Sequence, residues 1–259
     1  MNATISVPSG GGYFEGHFPG RPILPGVAEL ALVVDALGRH TGQAATLRAI
    51  RFARLRQVVG PGERLELTAR AADNGHLRVD LRRDGTLVAN GELALGHPET
   101  RAEIAASIAV ASRPPHGTPP LDALLPHRPP MRFITGIVGE AADGFACAAR
   151  IPSACALVAA GSAPALAGLE AAAQTAAIWE GMRRWREGDT SRARMGYLVA
   201  LRDVIFFVDR IPADEVFSAA VRLDAVAPPL AHYAIEVAQG ATLLLRGTIA
   251  TLLTDECVD

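Results

Sequence analysis

The sequence predicts an α+β protein made of two similar halves, each a curled antiparallel sheet wrapped around one helix. Three observations carry this reading. Each half holds one segment with a helical apolar stripe, and a series of alternating, strand-like segments follows each of those helices. The two halves also align on shared turn motifs, the mark of an internal repeat.

Taken in order, residues 27–37 carry the first helical stripe, entered through Pro25 and Gly26, and alternation predicts strands near 46–58, 63–72, 76–82 and 86–95. Composition then shifts over 97–120 to Pro and small residues. We therefore expect an N-terminal domain over 1–98, a linker over 99–116 whose Ala-rich run forms a short helix, and a C-terminal domain over 117–259. The second half reads as strands at 132–139 and 144–151, a helix at 165–186 with the stripe Leu166, Leu169, Ala173 and Ala177, and strands at 196–208, 214–223, 230–238 and 242–253. Pro25-Gly26-Val27 aligns with Pro164-Ala165-Leu166, and Pro61-Gly62-Glu63 with Pro212-Ala213-Asp214. The second half is longer because of an Arg-rich segment after its helix. Strands joined by hairpins carry no helical crossovers, so each sheet is expected to be antiparallel. Each leaves an exposed edge, and joining two edges removes that liability.

Composition excludes several classes. At 49% hydrophobic and 20% charged residues, the 259-residue chain suits a globular core and not a disordered or fibrous chain. Its formal net charge is -2 and it contains no Lys, so the basic excess of nucleic-acid binders is missing. Charges or Pro interrupt every apolar stretch before the ~18 residues of a membrane span, and no signal region follows Met1. A cytoplasmic protein is expected. Cys147, Cys155 and Cys257 have no metal spacing and are odd in number, so neither zinc nor a disulfide framework is indicated. No metal or cofactor is expected.

Chemistry concentrates in the loop before the first helix. Gly16, His17, Phe18, Pro19, Gly20, Pro22, Pro25, Gly26 and Val27 closely resemble the signature of the 3-hydroxyacyl-[acyl-carrier-protein] dehydratases of the FabZ/FabA type, which have the hotdog fold. Leu125-Pro126-His127-Arg128-Pro129-Pro130 resembles the opening of the same family, and Glu170 with Gln174 resembles its helix motif. The resemblance implies a fused double hotdog, similar to the paired dehydratase-like proteins of aryl-polyene pathways.

The departures from the family pattern are informative. The family places an acidic residue 14 positions after its catalytic His, whereas here that position is Ala31. Glu29 points about 200° away from Ala31 around the helix, and Asp35 lies one turn beyond it at the position matching Gln174, so neither replaces the missing acid. The second half has Glu170 but Ala156 where the base would stand. Family active sites combine the His of one unit with the acid of the other. The resemblance thus implies one composite site per chain, His17 with Glu170, and an empty second site.

Dehydration needs one group to take the proton beside the thioester carbonyl and another to protonate the departing hydroxide. Neutral His17 suits the first task, and a Glu170 kept protonated by an apolar pocket suits the second. By resemblance, the amides at Gly26 and Val27 hold the thioester oxygen at a helix N-terminus. Gln174 would orient Glu170. His127 and His232 read as structural. Arg183, Arg184 and Arg186, with Arg192 and Arg194, form a basic cluster that could meet an acyl carrier protein bearing a phosphopantetheine-linked chain; a solvated charged surface is the alternative. Two other functions stay open: an acyl thioesterase and a catalytically silent carrier-binding scaffold. Fused chains could associate further as homo-oligomers.

Overall fold

A computed structural model describes residues 1–97, 108, 115–189 and 193–257. The elements are β1 (Asn2–Ser6), α1 (Gly26–Thr41), β2 (Leu47–Leu55), β3 (Arg64–Ala71), β4 (Leu77–Arg83), β5 (Thr86–Leu95), α2 (Leu121–Leu124), β6 (Ile134–Glu140), β7 (Gly144–Ala149), β8 (Ser162–Pro164), α3 (Ala167–Arg186), β9 (Arg194–Phe206), β10 (Arg210–Pro212), β11 (Phe217–Ala227), β12 (Leu230–Gln239) and β13 (Thr242–Cys257).

Eleven strands form one antiparallel sheet in the order β1-β3-β4-β5-β2-β9-β13-β12-β11-β7-β6. The junction is the β2–β9 pair, with Ala49 opposite Ile205 and Arg54 opposite Ala200. The edge each half would leave open is therefore closed by the other half, within one chain. On the two sides of this junction the order is mirrored: β2-β5-β4-β3 outward on one side, β9-β13-β12-β11 on the other. This is a double hotdog, with one long helix cupped by each half of the sheet.

Local sequence accounts for the helix ends. Pro25 precedes the first residue of α1, and the helix stops where Gly42 adopts φ 71° and returns its N–H to the Gly38 carbonyl. It runs four residues beyond the predicted stripe because the polar turn Arg39-His40-Thr41 faces outward and continues the helical bonds. In α3 the packed face differs from the predicted one. Leu169, Ala172, Ala176 and Trp179 are buried in the core, whereas Ala173 and Ala177 are only half-buried and line a cavity. Small side chains let α3 lie close to the sheet: a Cβ on Gly168 would stand 2.9 Å from Leu245.

Three short strands escaped the pattern reading. β1 pairs with β3, Asn2 opposite Thr68, and β8 with β10. They are too brief for an alternation signal and exist through their partners. The Ala-rich run expected to form a linker helix lies outside the described residues, except Ile108. Cys147 and Cys155 are buried free thiols. No helix among the described residues is long and apolar enough to cross a membrane.

Candidate active site

The loop from Gly10 to Leu24 and the segment 125–131 meet through backbone. Arg128 N–H donates to the Gly16 carbonyl at 2.7 Å. Gly16 has φ 77°, and a Cβ there would lie 2.1 Å from the Arg128 carbonyl oxygen, so this crossing requires glycine. The contact sets His17 beside His127, with ring centroids 5.0 Å apart at 66°. Phe18 packs on both rings.

Glu170 projects into the same place from the first turn of α3, where the helix dipole favours an anion. Its Oε1 lies 3.2 Å from His127 Nε2, although neither ring nitrogen of His127 is aligned for a hydrogen bond. Donor atoms of His17, His127 and Glu170 all lie within 4.8 Å of one another, and all three residues are buried. That spacing is compatible with a divalent cation as well as with proton transfer.

Each group is held from behind. His17 Nδ1 sits 2.9 Å from the Ile23 carbonyl oxygen, which assigns the proton to Nδ1 and leaves the Nε2 lone pair for chemistry. Burial pushes His17 down to about 4, partly opposed by Glu170, so the ring is neutral at neutral pH. Gln174 donates to Glu170 Oε1 at 3.0 Å and to the Met131 carbonyl at 2.7 Å, and accepts from Phe133 N–H at 2.9 Å. Two backbone groups thereby lock the amide that orients the carboxylate.

Two expectations need correction. Burial by itself would raise Glu170, but His127 first, with the hydrogen bond from Gln174, outweighs it and holds the carboxyl well below its usual range. Glu170 therefore rests as a carboxylate, not as the protonated acid expected of an apolar pocket. His127, read as structural, stands in the cluster. Its sequence signal was present in the Leu125–Pro130 motif; what could not be read locally was the crossing that delivers it to His17.

The cluster opens into a cavity of about 640 Å³ lined by Gly26, Leu55, Ala173, Ala177, Leu198 and Tyr233 among others. Gly26 begins α1 with no side-chain cap, so its amide is available at the wall, and a Cβ there would run 2.4 Å from Leu55 Cδ1. Val27 differs: its side chain is fully buried in the core and does not line the cavity. Glu29, set aside from the sequence, does line it.

The Arg cluster is largely matched by carboxylates. Arg183 pairs with Glu180 at 3.3 Å, Arg184 and Arg194 with Asp189 at 3.3 and 2.9 Å, and Arg186 bidentately with Glu140 at 2.8 and 2.6 Å. Arg183 and Arg194 line the cavity; Arg192 lies outside the described residues. His232 is on β12 and does not line it.

A second cavity of about 530 Å³ is lined by Ala31 and Asp35 of α1 and by Ala165 and Leu166 before α3. Among the described residues no His lines it, and Asp35 is exposed and paired with Arg39. Ala156 instead packs against Gly12, where a Cβ would be 2.7 Å away.

Two hotdog units cupping one buried His-carboxylate pocket define the class of double-hotdog dehydratases. The ApeP-like family, described as ApeP dehydratase, matches residues 119–258, and the ApeI-like family, ApeI dehydratase, matches residues 1–92. The chain belongs to the ApeP-like dehydratase family, with an ApeI-like unit fused ahead of it. It is 30% identical over 103 residues to the 3-hydroxyacyl-[acyl-carrier-protein] dehydratase FabZ of Lactobacillus helveticus, a match covering 36% of this chain and 70% of that one. In fold it is similar to a trans-AT polyketide synthase dehydratase domain from Brevibacillus brevis, with TM-score 0.72, 13% identity and 98% and 94% of the two chains covered. The dehydratase domain of PpsC from Mycobacterium tuberculosis gives TM-score 0.69 at 17% identity, covering 98% and 93%.

Proposed function

We propose that the protein dehydrates 3-hydroxyacyl thioesters carried by an acyl carrier protein to trans-2-enoyl thioesters, at one composite site per chain. The observation that carries this reading is the convergence of His17, Glu170 and His127 within 4.8 Å. His17 Nε2, neutral and aimed by Ile23, removes the proton at C2. The enolate oxygen is held by the free amide of Gly26 at the start of α1. The Glu170 carboxylate holds the 3-hydroxyl by accepting its hydrogen bond, close to His17. As the C2–H bond breaks, His17 becomes an imidazolium; its Nε2 proton then passes to the 3-hydroxyl oxygen as the C3–O bond breaks and the C2–C3 double bond forms, and water leaves. His17 returns neutral and Glu170 stays a carboxylate throughout, so the step needs no resting proton on Glu170. An acyl carrier protein is the proposed partner, with Arg183, which lines the cavity and is partly exposed, as one contact.

The test is turnover of a 3-hydroxyacyl carrier-protein thioester with no metal or nucleotide added, followed by mass spectrometry of the acyl group. Loss of water without thiol release is expected. Free thiol without enoyl product would favour the thioesterase, and neither product would favour the scaffold.

A further inference from the structure

The cavity wall carries a second buried carboxyl that the elimination does not use. Glu29 lies three residues after Gly26 on α1, about 4.5 Å farther along the axis and within about 60° of the same face. It lines the cavity, is only 4% exposed, and its Oε1 has no hydrogen-bond partner in the protein. Glu63, the acidic side chain whose charge acts on Glu29, is engaged by Arg83 at 2.6 Å. Burial, with a smaller push from Glu63, raises Glu29 to about 8, so at neutral pH it offers a carboxylic O–H. A buried carboxyl with an unsatisfied oxygen is less stable there than an alkyl side chain of the same size. A group that destabilises the empty protein beside the thioester-binding amide is explained by a ligand atom that completes it.

We propose that Glu29 is a hydrogen-bonding subsite for a polar group of the bound thioester, a few bonds from the reacting carbons. This rests on the reading of the cavity as a 3-hydroxyacyl thioester site. Two parts of such a molecule carry the required chemistry: the amides of the pantetheine arm, and a keto, hydroxyl or ether oxygen on the acyl chain.

The test compares the full-length protein with Glu29→Leu and Glu29→Gln. Calorimetric titration uses two unreactive thioether analogues of acyl-pantetheine, one with a plain alkyl chain and one with a chain oxygen. Glu29→Leu should weaken binding about five- to tenfold, the worth of one hydrogen bond, while its melting temperature rises. Glu29→Gln keeps an N–H donor and should restore affinity. Weakening toward both analogues assigns the pantetheine arm as the partner; weakening confined to the oxygenated chain assigns the acyl group. Unchanged affinity of Glu29→Leu for both overturns the subsite, as does a melting temperature that falls together with affinity. Turnover is measured separately. Glu29-dependent binding without enoyl formation would remove the proposed reaction and leave the subsite, whereas failure of the wild type to bind either analogue would overturn both.

Discussion

Replacing Gln174 by alanine removes three buried hydrogen bonds in one step. The Phe133 N–H, the Met131 carbonyl and Glu170 Oε1 each lose a partner at 2.7–3.0 Å in a residue only 1% exposed. Two orphaned backbone groups at about 1–3 kcal/mol each predict a stability loss of about 2–6 kcal/mol, a large part of the ~5–15 kcal/mol available to a domain. The effect on rate is separate. Glu170 keeps His127 and the helix dipole and loses one hydrogen bond to a charged group, worth about 1.5–3 kcal/mol. If that bond matters only for orientation, kcat falls by about 10- to 150-fold. Glu170→Ala removes the carboxylate itself and should cost about 10²- to 10⁴-fold. The assay is saturating turnover to the enoyl thioester, with thermal unfolding followed on the same preparations so that rates are compared at a temperature where both variants are folded. Equal rate losses would show that Gln174 does more than orient. An undiminished rate would show that the carboxylate needs no such support.

Three further outcomes are expected. His17→Ala should abolish turnover while the protein stays folded, read by circular dichroism beside the activity assay; retained activity would remove His17 from the mechanism. A mechanism-based inhibitor that alkylates the active His should add one equivalent per chain, at His17 by peptide mass spectrometry, and Ala31→Glu should create no second site, since among the described residues no His lines the cavity it faces; two equivalents would defeat the single-site reading. Because burial holds His17 at about 4, kcat/KM should stay level from neutral pH to about pH 5 and fall below it. In linkage terms the folded value lies below the unfolded ~6.5, so the stability this group contributes is present above pH ~6.5 and lost as pH falls through about 4. His17→Ala should therefore flatten the fall of melting temperature across that window, and an unchanged slope would contradict a buried neutral ring.

What the sequence by itself determined is what local pattern encodes. The strand at 86–95 matches Thr86–Leu95, because its short, largely apolar run, most of it buried, is a property of consecutive residues and needs no reference to a partner. The family signature around His17 was legible for a similar reason: its prolines and glycines describe a backbone path, and Gly16 is required where that path crosses the Arg128 backbone, while a side chain at Gly26 would meet Leu55. Tertiary structure decided the rest. His127 becomes part of the site only through the hydrogen bond between Arg128 and Gly16, a contact across 112 residues. Ala173 and Ala177 carry the same apolar signal as core residues, yet they face the cavity, because hydropathy does not distinguish a packed wall from a tunnel wall. The charge on Glu170 was misjudged on burial alone, since its protonation depends on which groups the fold brings beside it. Glu29 likewise could be placed on a helix face but not against a cavity. Periodicity is a property of neighbours along the chain, whereas pKa values, cavities and composite sites depend on neighbours in space, which only the closed sheet and its two helices bring together.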